Sequence, residues 1–483
     1  MQPQGRTREQ PPGSVDGDEI TPLLGDPDEL LAQPLTDKSE LWLLAEYSLP
    51  LIGTYFLQYS FTIITTLVAG HLSSDDLAAT SIGLTTLNLI GLATFEGMAT
   101  ALDTLCSQAY GSGNYHGVGL HVQRMMLLMA ISLIPIAAVW LCSHWILPVF
   151  VKQDYLAAKA ASFLRVSLIG MPGYASFEAL KRFLQTQGDC NAALVILLVC
   201  APLNAALSWF FAFKLGMGLE GAALGAALTN NIRAIMLVLY IALIAKWSHC
   251  CWGGLSREAF KNWGPMLRLS AAGSAVNLGE WLAFEAVTFS TSYISTEHLA
   301  AMTILTQLSV ITWHIPFSIS VAVSIRIGHL IGAGLVANAR HAAALYSVVF
   351  AGIGCLDAVV FFLLRHELPK IISNDEYVRG IAAQAMTTVA AFQIVDALNV
   401  GTGGILRGLG RQSFAGVVVF PVNYLFAVPL AIWLELGSPD LKLHGTWIGL
   451  GLGLLVTVSI NCIYMKWLKW QDCVESIKSR EEA

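Results

Sequence analysis

Residues 183–188, Phe-Leu-Gln-Thr-Gln-Gly, have a counterpart 222 positions later in residues 405–410, Ile-Leu-Arg-Gly-Leu-Gly. Any one such match arises easily by chance, but a colinear set at a nearly constant offset indicates that the two halves of the chain are repeats. Three further matches keep the same order, at offsets of 222, 221 and 224 positions: Leu77-Ala-Ala with Leu299-Ala-Ala, Tyr110-Gly-Ser-Gly113 with Ile331-Gly-Ala-Gly334, and Leu219-Glu-Gly221 with Leu443-His-Gly445.

The composition is that of a protein that faces lipid. Hydrophobic residues make up 55% of the 483 residues and charged residues only 12%, with a mean hydropathy of +0.62. A soluble domain has about 25% charged residues, so most of this surface must contact a bilayer. The net charge of −6 gives no reason to expect nucleic acid as a partner. The chain is therefore predicted to be an all-α integral membrane protein.

Twelve stretches are long and apolar enough to cross a bilayer, which takes about 20 residues. We expect a cytosolic tail at 1–43, an N-lobe of helices 1–6 at 44–246, a cytosolic loop at 247–263, a C-lobe of helices 7–12 at 264–470 and a cytosolic tail at 471–483. The predicted helices are 44–68, 77–104, 120–147, 156–184, 190–213, 219–246, 264–293, 299–330, 341–364, 377–407, 412–435 and 446–468.

The number of helices in each repeat fixes how the repeats are related. Six is even, so the second half enters the membrane from the same side as the first. The two lobes are then parallel repeats about an axis along the membrane normal, which places a substrate between them near the midplane. This architecture is typical of transporters.

Orientation follows from the positively charged residues. Of the Lys and Arg that can be assigned, seventeen fall on the side of the tails and six on the other, so both termini are expected in the cytosol. The first forty residues are polar and predict disorder. They contain two sequences that resemble acidic dileucine sorting signals, which leaves a vacuolar or endosomal membrane and the plasma membrane both open: Glu19, Leu23 and Leu24, then Asp26, Leu30 and Leu31.

Carboxylates inside the predicted spans are the candidate chemistry. A charge at the bilayer centre costs roughly 2.5–3.5 kcal/mol, so each needs a partner or a function. Glu280 and Glu285 in helix 7 and Asp396 in helix 10 are predicted to bind protons and cations, with a structural polar network as the alternative. Because a spacing of five rotates them about 140° apart, we expect only one of the two helix 7 acids to face a small pocket.

Other polar residues in the spans have less specific interpretations. Asp103 and Glu178 are expected to brace helix ends, and Glu96 stays open between a structural and a functional role. Arg326 and Arg407 are expected to snorkel from cytosolic helix ends.

The expected chemistry is competition between a proton and an organic cation for the same carboxylates. Burial favours the neutral form of a carboxyl group and a bound cation favours the ionised form, so binding of one releases the other. A two-unit pH gradient supports roughly hundredfold accumulation per proton. Trp281 and Phe284 are predicted to form an aromatic wall for the substrate. No cofactor is expected, since the sequence has no phosphate-binding loop and its nine cysteines lack metal-site spacing.

These residues resemble the multidrug and toxin extrusion (MATE) family, most closely its fungal members, over roughly residues 45–470. The resemblance implies a V-shaped pair of six-helix lobes, alternating access, and protons as the coupling ion in eukaryotic members; we expect a monomer. The stretches that carry it include Leu57-Gln58, Ala101-Leu-Asp-Thr-Leu-Cys-Ser-Gln-Ala-Tyr-Gly111, Arg182-Phe-Leu-Gln-Thr-Gln-Gly188, Cys200-Ala-Pro-Leu-Asn-Ala205, Glu280-Trp-Leu-Ala-Phe-Glu285 and Leu406-Arg-Gly.

The resemblance also assigns residues. The family's coupling acids fall on Glu280, Glu285 and Asp396, and Gln58 is a candidate for the substrate cavity. Gln307, a further cavity candidate, stands where relatives often have an acid, and Ala272 stands where they have a proline that bends helix 7. Antiport coupled to sodium and a flippase for a lipid-linked molecule remain as alternatives; an enzyme is not expected, because the chain has no HExxH or GxSxG motif.

Overall fold

In this computed structural model the described residues, 36–151 and 153–481, are helical with connecting turns and contain no strand. The dileucine-like motifs of residues 19–31 lie outside the described residues. The membrane helices are α1 Asp37–Leu72, α2 Ser74–Gly111, α3 Tyr115–Leu141, α4 (Asp154–Ser167, the 3-10 turn Leu168–Gly170 and Met171–Thr186), α5 Asn191–Lys214, α6 Gly218–Leu243, α7 Gly264–Thr291, α8 Thr296–Gly332, α9 Val336–Leu363, α10 Glu376–Gly408, α11 Gln412–Leu436 and α12 Leu443–Trp467.

Ten of these helices, within the described residues, are long and apolar enough to cross a membrane by length and composition alone. The two others are α4, which a 3-10 turn interrupts, and α7, which carries Arg268, Glu280 and Glu285. The acids Glu280 and Glu285 of α7 line a cavity inside the protein, and Glu178, Lys181 and Arg182 of α4 are buried. The fold is therefore the expected one of twelve helices in two sets of six.

Shorter helices complete the described chain: Ser143–Phe150, Leu368–Ile372, the 3-10 turns Lys246–Cys251 and Arg257–Phe260, and a terminal helix α13, Gln471–Glu481. The two 3-10 turns lie in the segment between the sets of six helices. That segment packs on α3, where Gln123 Nε2 donates to Gly254 O at 2.7 Å and Gln123 Oε1 accepts from Ser256 N at 3.1 Å.

The internal repeat is visible in the backbone. Gly113 and Gly334, which follow the ends of α2 and α8, both have φ of +80°, a left-handed conformation that favours glycine. Gly188 and Gly410 take φ of +92° and +72° after α4 and α10. The repeated glycines are therefore positions where each half ends equivalent helices, and the predicted repeat is confirmed.

Helical structure extends beyond the predicted edges at both ends of the described chain. The first helix begins at Asp37 instead of 44, because the Thr36 side chain caps it and Glu40 is buried against the C-lobe. The expected tail after 470 is the amphipathic helix α13, in which Cys473, Val474 and Ile477 are buried. An edge estimated from hydropathy misses both segments, because each contains several polar residues.

The lobes contact each other mainly at one end, where α1 and α7 begin and α2, α8 and α10 end. Thr104 Oγ1 donates to Arg407 O at 2.6 Å and Gln108 Nε2 to Gly408 O at 2.9 Å. A Cβ on Gly97 of α2 would lie 2.6 Å from Ser274 Cα of α7, so the two backbones touch there. Around this contact α7 is one continuous helix through Ala272.

Candidate functional site

One cavity inside the C-lobe, the C-lobe cavity, is lined by all three predicted coupling acids, Glu280, Glu285 and Asp396. Helices α7, α8, α10, α11 and α12 contribute to its walls. The expectation that only one of the helix 7 acids would face such a pocket is wrong. The cavity extends along α7, so side chains about 7.5 Å apart in height both reach it.

The three acids differ in their partners. Asn399 lies one turn after Asp396 on α10, and its Nδ2 donates to Glu280 Oε1 at 3.1 Å. Within the described part of the chain, Glu285 and Asp396 have no hydrogen bond or salt bridge to another side chain. Asp396 is 9% exposed. A closed structural network would satisfy each carboxylate, and this arrangement leaves two of them available to a ligand or proton.

Aromatic side chains form the rest of the C-lobe cavity wall. Phe284 contacts Phe392 and Trp447 edge-on, with ring centroids 6.1 Å away in both cases. Trp281 and Trp313 line this cavity and also a second one, so they stand at the boundary between the two. Rings held in place by other rings give a flat or cationic ligand a rigid apolar surface.

The second cavity, the inter-lobe cavity, is lined by α1, α2, α4 and α6 with Asn277, Trp281, Trp313 and His314 of the C-lobe. Gln58 lines it, as does Glu96. Gln307 is exposed and lines neither cavity. Its Oε1 accepts a hydrogen bond of 3.0 Å from the hydroxyl of Tyr59, a residue that does line the inter-lobe cavity.

A buried charge network in the N-lobe was missed by the sequence analysis. Glu178 lies 2.9 Å from Lys181 Nζ and 2.6 Å from Arg182 Nη1, and Arg182 Nε lies 3.0 Å from Asp103 Oδ1. Gln58 Nε2 donates to the same Glu178 Oε1 at 2.7 Å. The expectation that Asp103 and Glu178 brace helix ends is wrong, because both are buried and are neutralised by the buried Lys181 and Arg182.

The two arginines expected to snorkel instead bind partners inside the protein, Arg326 as a buried and Arg407 as a half-buried side chain. Arg326 pairs with Glu40, and Arg407 Nη2 donates to Ser320 Oγ at 2.6 Å under the ring of Phe317. Hydropathy places such residues at helix ends but does not tell whether they point outward to water or inward to a carboxylate from a distant part of the chain.

Comparison with known proteins places the chain among transporters. The family model described as MatE matches residues 50–210 and 274–433, one segment in each repeat. "Uncharacterized transporter C4B3.13" of Schizosaccharomyces pombe is 37% identical over 90% of this chain and 81% of its own length. "Multidrug and toxin extrusion protein 1" of Xenopus tropicalis is 27% identical over 91% of this chain and 77% of its own.

The fold also has close structural counterparts. The crystal structure of the eukaryotic MATE transporter AtDTX14 superimposes with a TM-score of 0.86 at 24% identity, covering 92% of this chain and 99% of the other. At that identity the likeness concerns the fold. It agrees with the twelve helices and the two repeats described above, and with a protein that crosses the membrane many times.

Proposed function

Because the chain belongs to the MATE family of multi-pass membrane transporters, we propose that it exchanges organic cations or other amphipathic small molecules for protons by alternating access. The observation that carries the proposal is that Glu280, Glu285 and Asp396 line one cavity beside a rigid aromatic wall.

The proposed exchange is mass action at these carboxylates. A cation that enters the C-lobe cavity between Trp281 and Trp313 displaces the protons, and protons from the acidic side displace the cation. Each pH unit supplies about 1.4 kcal/mol per proton, so a modest gradient suffices to concentrate the substrate. The aromatic wall contributes apolar and cation–π contacts that do not depend on one substrate's shape.

In the proposed orientation both termini are cytosolic and the end at which the lobes touch faces the cytosol. Lys181, Arg182 and Arg326 are buried and no longer count as cytosolic charges. The tail side still holds most of the assigned Lys and Arg residues. We propose that the N-lobe, residues 44–246, and the C-lobe, residues 264–470, are the two units that move relative to each other during transport.

The test is uptake of a fluorescent organic cation into proteoliposomes with an imposed pH gradient. Glu280→Gln, Glu285→Gln and Asp396→Asn are each expected to abolish gradient-driven uptake while the protein stays folded. Glu297→Gln, at an acid in the first turn of α8 that lines neither cavity, is the matched control and should transport normally. Full uptake by all three cavity variants would show that these acids are not the coupling sites.

The same liposomes separate the alternatives. A sodium gradient at equal pH should drive no uptake; uptake there would favour sodium coupling. A flippase for a phosphate-bearing lipid needs several basic side chains in its cavity. Of the described residues that line the inter-lobe cavity, Arg233 is the one arginine and there is no lysine, which disfavours that alternative.

A further inference from the structure

Arg233 is buried in the middle of α6, fifteen residues after Gly218 and ten before Leu243. Its side chain is 1% exposed and lines the inter-lobe cavity. In the described part of the chain it forms no salt bridge, and its Nε and Nη2 atoms have no hydrogen-bond partner. A buried guanidinium without a counter-charge is costly to keep, so the two unpaired donors point to a ligand that the protein binds.

The surroundings of Arg233 explain which part of it is free. Its guanidinium carbon lies 4.6 Å from the ring centre of Phe177, 5.1 Å from that of Tyr174 and 5.3 Å from that of Phe61. Aromatic rings hold a guanidinium by its charge, and they leave the in-plane N–H groups for hydrogen bonds. The geometry of an arginine fork matches a planar carboxylate.

The acids of the N-lobe do not serve as that partner. Both oxygens of Glu178 are used by Lys181, Arg182 and Gln58, and Asp103 pairs with Arg182. Glu96 lines the same cavity but forms no salt bridge with Arg233. The inter-lobe cavity thus holds an uncommitted arginine together with the uncommitted carboxyl group of Glu96, whereas the acids Glu285 and Asp396 of the C-lobe cavity have no basic side chain among the described residues that line it.

We propose that Arg233 binds the carboxylate of an amphipathic aromatic molecule in the inter-lobe cavity. The substrate class of the transporter then includes aromatic carboxylates and zwitterions besides cations, which rests on the proposed transport function. Tyr55, whose buried hydroxyl also lacks a partner and which lines the same cavity, is a second donor for the anion. The rings that hold Arg233 and the tryptophans across the cavity contact the apolar body of the ligand.

The test compares 1-pyrenebutyrate with its methyl ester, which differ in charge and little in shape. Binding is measured by fluorescence to purified protein in nanodiscs, in gluconate buffer at one pH, with empty nanodiscs subtracted. We expect the carboxylate to bind at least about tenfold more tightly than the ester, the ratio that one charge-assisted contact of about 1.4 kcal/mol provides. Arg233→Met should remove this preference and Arg233→Lys should keep part of it.

A second arginine supplies the control. Arg326→Met removes a buried guanidinium that is already paired with Glu40, so it should lower the melting temperature without changing the preference for the carboxylate. Arg233→Met removes an unpaired charge and should leave the melting temperature unchanged or higher. A fall in melting temperature with an unchanged preference would make Arg233 a structural residue and overturn the proposal.

A measurement on the unmodified protein covers the case in which the variants do not fold. Benzoate should displace 1-pyrenebutyrate, and benzamide, of similar size but neutral, should not. Equal displacement by both, or equal binding of the probe and its ester, would overturn the anion site. No pH gradient is present in these binding measurements, so their results are independent of proton coupling. If the variants of the three C-lobe acids transported normally, the proton-coupling proposal would fail and the binding results would still stand.

Discussion

Arg326 of α8 forms a buried ion pair with Glu40 of α1, across 286 positions of sequence and between the two lobes. The guanidinium Nε lies 3.2 Å and 3.1 Å from the two carboxylate oxygens, and Nη2 also contacts Oε1. Tyr346 Oη of α9 donates to Glu40 Oε2 at 2.7 Å. The pair therefore fixes the first turn of α1 to the C-lobe at the end where the lobes touch.

Glu40→Leu is expected to lower the free energy of unfolding by about 3–5 kcal/mol, because it leaves Arg326 buried without a counter-charge. The double variant Glu40→Leu with Arg326→Met should recover most of the loss, since no charge is then left unpaired. Thermal melting in detergent measures both.

The control for this pair is the exposed neighbour Asp37–His341, with 2.6 Å between Oδ1 and Nε2. Asp37→Asn should cost less than about 1 kcal/mol, as is usual for exposed pairs. If the Glu40→Leu protein melts at the same temperature as the Asp37→Asn protein, the buried pair does not hold the lobes together.

Cys250, in the segment between the lobes, is expected to be an unusually reactive thiol. Its hydrogen bond with the Cys251 thiol, at an Sγ–Sγ distance of 3.7 Å, lowers the pKa of Cys250 to about 7. A lowered pKa means more thiolate at neutral pH, so alkylation by iodoacetamide should rise with pH and reach half its maximum near pH 7.

Cys251→Ala removes the partner and should move that midpoint upward, toward the usual pKa of about 8.5 for a cysteine thiol. Cys250→Ser supplies the blank, because other cysteines are then the source of any remaining label. An unchanged midpoint in Cys251→Ala would mean that the neighbouring thiol does not set the reactivity.

The terminal helix α13 is expected to contribute to stability. Ile477 is 4% exposed and packs in the cluster that contains Leu44 and Ile331. Ile477→Asp should cost about 3 kcal/mol or more, since it removes apolar contacts and buries a charge. The exposed Glu475→Gln on the same helix should melt like the unmodified protein, and equal melting of both variants would contradict the packing of α13.

The cellular location of the protein tests whether the dileucine-like motifs are sorting signals. A fluorescent fusion without residues 1–35 is expected to move from an internal membrane toward the cell surface if Glu19, Leu23 and Leu24 and Asp26, Leu30 and Leu31 are sorting signals. Alanine at the four leucines should reproduce the shift with the tail present. An unchanged distribution of both fusions would mean that the motifs are chance matches.

The acids that line the C-lobe cavity and the repeats were predicted from sequence because each has a local signature. A carboxylate in an apolar stretch stands out, as Glu280, Glu285 and Asp396 do, and glycines such as Gly113 and Gly334 mark equivalent turns. Asn399 and Arg233 have no such signature. An amide is common in membrane helices, and an arginine between apolar neighbours does not reveal its partners.

The sequence by itself determined the number of helices, their grouping in two repeats and the acids of the C-lobe, because hydropathy and residue spacing are properties of the linear chain. Only the tertiary structure decided which charges neutralise each other. Glu40 with Arg326 and Asp103 with Arg182 meet across 286 and 79 positions. In an apolar medium a charge is stabilised by what lies within a few ångströms, and packing, not sequence distance, sets those neighbours.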